Sequence, residues 1–244
     1  LWAFRVAEDP TVLFPVMVHI DGFNLSHVTE PLFLRDQADV NRFLPPNRYP
    51  LPLHPDRPVT MGAFGPPAIY TEAKKAQEVA FANTRPVILK AWQEFEQIFG
   101  PRYSPIETYQ AEDAEILLLT MGSLSETASL AVDRIRAGGR KVGLVRIRLW
   151  RPFPFAELRR ALAETQAVIV LDRSISFGGP GGPVFSEVKA ALYGQPAQPR
   201  VVGLISGLGG RDVTPADFEH MVQRGIEIAE KGSPAESEMI GVRE

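Results

Sequence analysis

The 244-residue chain contains no cysteine. Without thiol sulfur this polypeptide holds no disulfide, no thiolate nucleophile, no cysteine-ligated zinc and no iron–sulfur cluster. Histidine is scarce: His19, His27, His54 and His220 are the four, and none shows the close spacing of a metal-binding motif such as HExxH. Lys and Arg number 26 against 29 Asp and Glu, a formal net charge of −3. With no Lys/Arg-rich block either, the electrostatic footprint of a nucleic-acid-binding protein is missing. No run reaches the roughly 18 to 20 apolar residues that span a bilayer. The opening "LWAFRVAEDP" has no initiator Met, no basic n-region and no small-residue cleavage site, so it is not a signal peptide. It reads as the interior of a longer protein, and the expected setting is cytoplasmic and reducing.

What is present is ordinary globular material, 45% apolar and 23% charged, long enough for one large or two modest domains. Leu1–Ala7 reads as the end of a helix and Val12–Ile20 as a buried strand. The stretch Pro45–Pro67, "PPNRYPLPLHPDRPVTMGAFGPP", is too rich in proline for a helix or a central strand. It is also too apolar for a solvated linker. Leu51, Leu53, Val59, Met61 and Phe64 indicate an extended arm packed on a surface. Ala68–Ala82 is expected to be a helix with Ile69, Ala73, Ala76, Val79 and Ala80 on one apolar stripe. A second helix, Val87–Phe99, follows a break near "NTRP" and ends at Gly100-Pro101.

From about Glu112 the pattern becomes regular. "AEILLLTMG" (Ala114–Gly122), "KVGLVRIRLW" (Lys141–Trp150), "AVIVLDR" (Ala167–Arg173) and "RVVGLIS" (Arg200–Ser206) read as strands, the apolar runs of a sheet buried on both faces. Helices are expected at Ser125–Ala137, closed by Gly138-Gly139, at Phe155–Glu164, at Val184–Tyr193, and at Pro215–Lys231 with Thr214 as N-cap. This alternation implies an open, mainly parallel sheet covered by helices.

Two strand-end loops invite ligand readings. "GSLSE" opens a helix, where anions bind, but Ser123 with Glu126 three residues on is also a capping box. It lacks the further glycines of a dinucleotide fingerprint and the lysine of a P-loop. "SFGGPGGP", with Ser176 and Phe177 at its start, is compatible with a structural turn or with an interface loop. Asp172 and Arg173 close a buried strand and Arg151 closes the preceding one; such charges pair or line a cleft. The densest stretch chemically is "HIDGFNLSHVTEP", with Asp21, Gly22, Phe23, Ser26 and His27. Adjacency of Ser26 and His27 does not favour the nucleophile–base geometry of acyl transfer.

"FPVMVHIDGFNLSHVTEPLFLRDQADVNRFLPP", "TMGSLSETA", "AGGRKVGLVRIRLWRPFP", "AVIVLDRSISFG" and "FSEVKAALYG", in that order, resemble alpha subunits of the pyruvate:ferredoxin oxidoreductase family, the 2-oxo acid:ferredoxin oxidoreductases. The resemblance implies a transketolase C-terminal-like α/β domain at residues 112–244, preceded by the end of a thiamine pyrimidine-binding domain at 1–44 and by an arm with linking helices at 45–111. It implies oxidative decarboxylation of a 2-oxo acid to an acyl-CoA, with electrons passed to ferredoxin. Thiamine diphosphate and Mg would act in the assembled enzyme, iron–sulfur clusters would lie on other subunits, and this chain alone would bind none of them. The implied partners are beta, gamma and delta-type subunits, with ferredoxin and CoA acting on a dimer of heteromers, and with no nucleic acid or membrane. No catalytic, cofactor-binding or metal residue carries over. Asp21–His27 with Arg151, Asp172, Arg173, Ser176 and Phe177 are the candidates for a cleft or interface. Oxalate-acting relatives share much of the pattern, so pyruvate is not singled out. The alternatives are a stand-alone nucleotide- or CoA-binding module, motivated by the two strand-end loops, and a non-catalytic assembly scaffold.

Overall fold

Residues 1–22, 25–231 and 237–243 are described in the computed structural model. The chain divides into two units, Leu1–Val18 with Glu30–Ser104, and His19–Thr29 with Pro105–Glu244.

The first unit is helical. Helices α1 (Trp2–Ala7), α2 (Gln37–Phe43), α3 (Pro67–Ala82) and α4 (Thr84–Phe99) follow in order. Asp36 starts α2 by accepting the Ala38 amide at 2.8 Å, a side-chain cap of the usual kind. Aromatic side chains supply the core. Phe43, Phe95 and Phe99 are buried together, with Trp2 and Tyr103 packed on them, and Trp2 meets Trp92 edge-on at 5.6 Å between centroids, a favoured ring geometry. Helix α4 begins three residues earlier than expected. Pro86 lies in its first turn, where the missing N–H has no intrahelical partner to lose.

Two expectations for this part of the chain fail. Val12–Ile20 forms no strand, and Met17 and Ile20 are 79% and 73% exposed. The proline-rich arm is extended, but among the described residues no surface covers it: Leu51, Leu53 and Phe64 are 67%, 68% and 85% exposed. Helix α3 forms where the periodicity places it, and its apolar stripe faces outward, for the helix has no buried residue. In each case an apolar pattern marks a demand for burial that this chain does not meet.

The second unit is a six-stranded sheet, order β1-β3-β2-β4-β5-β6. The strands are β1 (Ile106–Tyr109), β2 (Ile116–Met121), β3 (Val142–Ile147), β4 (Ala167–Asp172), β5 (Arg200–Ile205) and β6 (Ser237–Met239). All neighbours are parallel except β1, which runs antiparallel to β3. Helices α5 (Leu124–Ala137), α6 (Phe155–Leu162), α7 (Pro183–Leu192) and α8 (Pro215–Lys231) cover it. Alternate residues of each central strand serve opposite faces. Leu118, Ile169 and Leu204 join Ala128, Val132, Phe218 and Met221 of α5 and α8. Leu117, Leu119, Val168 and Val170 join Leu158, Leu162, Phe185 and Val188 of α6 and α7. Two buried faces explain the unbroken apolar runs, and this is the open, mainly parallel sheet that the alternation implies.

Helix ends obey local chemistry. Gly139, at φ +90°, ends α5 in the left-handed region open to glycine. Ahead of α8, the Thr214 hydroxyl accepts the Asp217 amide at 3.2 Å while Asp217 accepts the Thr214 amide at 2.8 Å. This reciprocal cap holds the Asp217 carboxyl below its usual range, chiefly through the Thr214 hydroxyl bond. Strands β1 and β6 were not expected, because short, half-buried edge strands carry little periodic signal.

Gly225 gives a test of the packing between α8 and β4. A Cβ there would lie 2.6 Å from Ile169 Cδ1, so overpacking outweighs the roughly 1 kcal/mol that alanine brings to a helix interior. Gly225→Ala is expected to destabilise the protein in denaturant titration, by about 1–2 kcal/mol, and Ile169→Val should recover part of the loss.

Candidate functional site

The strand order turns at β2, whose sequence neighbour β3 lies on one side while β4 lies on the other. In open α/β sheets the crevice outside the carboxyl ends of such diverging strands is the usual ligand position. Here its polar groups come from the turn after β2 and the residue after β4. The Ser123 amide reaches Asp21 Oδ2 at 3.3 Å, the Ser123 hydroxyl donates to the same oxygen, and Arg173 Nη1 donates to Asp21 Oδ1 at 2.6 Å. Both charged side chains are half-buried, at 28% and 30% relative exposure. The anion that sits at this helix start is therefore the chain's own carboxylate.

The capping box does not form. Ser123 occupies the N-cap position of α5 with helical angles, φ −63° and ψ −32°, and makes no side-chain cap bond. A capping hydroxyl needs an extended backbone to reach back to the second or third amide. Glu126 turns instead to Arg146 of β3, at 2.7 Å. The first turn is closed by short backbone bonds, Ser125 N–H to the Gly122 carbonyl and Glu126 N–H to the Ser123 carbonyl, which take the place of a side-chain cap.

A second internal carboxylate closes the end of β4. Asp172 is 2% exposed and accepts the amides of Val184 at 2.9 Å and Phe185 at 3.0 Å, the orphan donors of the first turn of α7. Burial pushes its carboxyl above the ordinary value, against the pull of those two amide bonds. The glycines of "SFGGPGGP" make room for this contact. Gly182 has an ordinary extended φ of −76°, yet a Cβ there would fall 2.1 Å from Asp172 Cγ. A Cβ on Gly181 would fall 2.7 Å from the Phe185 ring.

The remaining candidates lie apart. Asp172 and Arg173, adjacent in sequence, take different partners. Arg151 reaches across to Glu187 of α7 through Nη2 and stacks on Trp150, 4.3 Å from the ring centroid. Ser26 Oγ and His27 Nδ1 are 2.9 Å apart, despite being adjacent, and both are exposed. Water around them lacks the preorganised dipoles that stabilise charge in an acyl-transfer site. Gly22 is exposed, and Phe23 lies outside the described residues. Ser176 accepts the Gly179 amide in a turn, and Phe177 is 90% exposed. Among the described residues no group of three or more His, Asp and Glu is arranged to hold a metal. Among the described residues, likewise, no helix is long and apolar enough to cross a membrane. The Asp21–Ser123 contact spans 102 positions and leaves no local sequence signal. The Asp172 cap leaves one: an aspartate closing a buried strand, followed by a Gly-Gly-Pro helix start.

Comparison with known proteins gives matches in both units. Residues 1–92 match the family model described as pyruvate flavodoxin/ferredoxin oxidoreductase, thiamine diphosphate-binding. Residues 114–218 match pyruvate:ferredoxin oxidoreductase core domain II. Pyruvate synthase subunit PorA of Methanothermobacter thermautotrophicus is 42% identical, over 92% of this chain and 57% of its own length. Ketoisovalerate oxidoreductase subunit VorA of Pyrococcus horikoshii is 39% identical, over 95% of this chain and 59% of its own. The chain thus spans somewhat over half the length of these curated relatives. Among solved structures, a 2-oxoglutarate:ferredoxin oxidoreductase from Magnetococcus marinus aligns with a TM-score of 0.39 at 22% identity, covering 61% of this chain and 23% of that one.

Two predictions follow from the Asp172 contact. Gly182→Ala should destabilise the protein by about 3 kcal/mol or more, because the buried carboxylate and the helix start cannot separate. Gly178→Ala, where φ is +71° and nothing lies within 4 Å, should cost only the left-handed strain of about 1–2 kcal/mol. Equal losses in urea titration would contradict this account. The second concerns pH. The folded Asp172 carboxyl keeps its proton above the ordinary 3.8, so its contribution to stability is full below that pH and is lost as pH rises through the folded value. Measured over that acid range, wild-type stability should fall relative to Asp172→Asn as pH rises, and a pH-independent difference would argue against it.

Proposed function

The chain belongs to the pyruvate:ferredoxin oxidoreductase family, and from that premise we propose that it works as the alpha-type subunit, or a portion of it, of a thiamine diphosphate-dependent 2-oxo acid:ferredoxin oxidoreductase. The reaction is the oxidative decarboxylation of pyruvate or a similar 2-oxo acid to an acyl-CoA, with two electrons passed to ferredoxin. The observation that carries the reading is the serial match: two family models in order along one chain, with pyruvate synthase subunits about 40% identical over nearly all of it.

A diphosphate with its magnesium needs free amides or cations and a set of oxygen ligands. At the two strand-end positions described above, Asp21 and Asp172 take the donors themselves, and the described residues include no metal-holding cluster. These residues do not fit the diphosphate, and in this reading that part of the cofactor lies on a beta-type subunit. Iron–sulfur clusters, which need cysteine, fall to other subunits for the same chemical reason.

In this reading the chain's own work is to supply wall and contact area. The three consecutive residues Leu32, Phe33 and Leu34 are 79%, 92% and 87% exposed, an apolar surface that a subunit interface would bury. Such interfaces give a dry cleft to a cofactor held between subunits. A dimer of heteromers in the cytoplasm is the arrangement we propose.

The identity with ketoisovalerate oxidoreductase subunit VorA supports a second reading of the substrate, a branched 2-oxo acid. Reconstitution separates these possibilities. The chain, completed to its full coding sequence and co-expressed with its partner subunits, should support CoA-dependent reduction of a viologen by pyruvate. Activity should vanish when this subunit is left out, and the 244-residue chain alone should release no CO2. A larger kcat/KM with 2-oxoisovalerate would select the branched substrate. Saturable CoA or NAD binding by the isolated chain in calorimetry, without turnover by the complex, would favour a stand-alone binding module.

A further inference from the structure

A gap in strand cover beside β5 leaves a cavity at the amino end of the sheet. β6 pairs with β5 only at Gly203–Ile205, so among the described residues no strand flanks Arg200–Val202 on that side. α7 and α8 cover opposite faces of the sheet. Their last turns wall a space of about 370 Å³ there, within the size range of small-molecule sites. Its floor is apolar, formed by the buried side chains of Leu192, Val202, Ile228 and Ala229. Its rim is polar, with Lys189, Tyr193, Gln198 and Arg200 all exposed. No carboxylate is among the described lining residues, although acids outnumber basic residues along the chain. Helix ends carry partial negative charge on their last carbonyls, yet those of α7 are engaged. The Lys189 carbonyl accepts the Tyr193 amide at 3.0 Å and the Leu192 carbonyl accepts the Gln195 amide at 3.0 Å. Arg159 Nε donates to the Ala191 carbonyl at 2.7 Å.

We propose that this cavity binds an amphipathic carboxylate, a single anionic head on a short hydrocarbon body. Arg200, which has no ion-pair partner among the described residues, takes the head, and the four floor residues take the body. Each half of the lining disfavours a rival class of ligand. A small inorganic anion meets the guanidinium in water, where an exposed ion pair is weak, and gains nothing from the floor. A neutral hydrocarbon covers the floor but strips water from the cationic rim without replacing it. A cation meets Arg200 and Lys189 across a lining with no described acid to hold it. A ligand with both parts satisfies both, and its bond to Arg200 strengthens as the body excludes water. Lys189, whose Nζ lies 5.3 Å from the Phe185 ring centroid, adds positive potential at the same rim. This inference rests on the sheet unit alone and not on the assembly proposed above.

The test is an NMR amide-shift titration of the full 244-residue chain with sodium hexanoate at constant ionic strength. The amides of Leu192, Tyr193 and Val202 should shift in a saturable way and report one dissociation constant. Acetate, which has the head without the body, and hexanol, which has the body without the charge, should each bind about tenfold more weakly, the worth of one charge-assisted contact or a few buried methylenes. Arg200→Gln, at an exposed position, should stay folded and lose a similar factor for hexanoate, while Arg200→Lys should keep most of the affinity. The comparison of hexanoate with hexanol on the wild-type chain needs no variant. Equal affinity for hexanol, undiminished binding by folded Arg200→Gln, or shifts confined to the exposed apolar residues of the helical unit would overturn the proposal.

Discussion

At the end of β4 the Asp172 carboxylate is shut away from water and gives both oxygens to the first amides of α7. An ion in such a place is tolerated only when hydrogen bonds replace its lost hydration, and that condition shapes the surrounding chain. The helix must begin at Pro183 for its second and third amides to reach the carboxylate. Position 182 must be glycine, since any Cβ would enter the carboxyl group. With the start of α7 fixed, Phe185 lies against β5, where a Cβ on Gly203 would come within 2.9 Å of its ring. One buried ion thereby sets the loop, the helix register and part of the core.

The same device recurs, less deeply buried, at β2, where Asp21 lies against Ser123 and Arg173. Helix starts after parallel strands are the places where α/β proteins usually hold phosphates. In this unit two such starts carry carboxylates of the chain itself. At these two positions the donors of a helix start are thus satisfied from within the chain.

The helical unit presents the opposite situation. Its aromatic cluster is packed, while α3, the arm after Pro45, and Met17, Val18, Leu32, Phe33 and Leu34 hold apolar side chains out to solvent. Free energy of order 25 cal/mol per Å² of apolar surface is left unrealised there, and association is the ordinary way to recover it. A family of multisubunit enzymes is the setting in which such a surface makes sense.

The core of the fold was legible in the sequence for a simple reason. Residues 116–121, 142–147, 167–172 and 200–205 are covered on both sides, so each appears as an unbroken apolar run between helix signals, and local chemistry at Gly139 and Thr214 marks helix ends without reference to anything distant. Edge strands β1 and β6, half-buried and short, gave no such pattern. Val12–Ile20 gave the pattern without the strand, because apolar character records a need for cover and not its source. Ser123 and Glu126 have the spacing of a capping box, yet each found a better partner in Asp21 and Arg146. Sequence alone determined the sheet, its helices and the family, through periodicity and ordered motifs that act over a few residues. Only the tertiary structure decided which charges meet, because the pairing of Asp21 with Ser123 and Arg173 depends on where strands more than a hundred residues away end, and no local pattern encodes that.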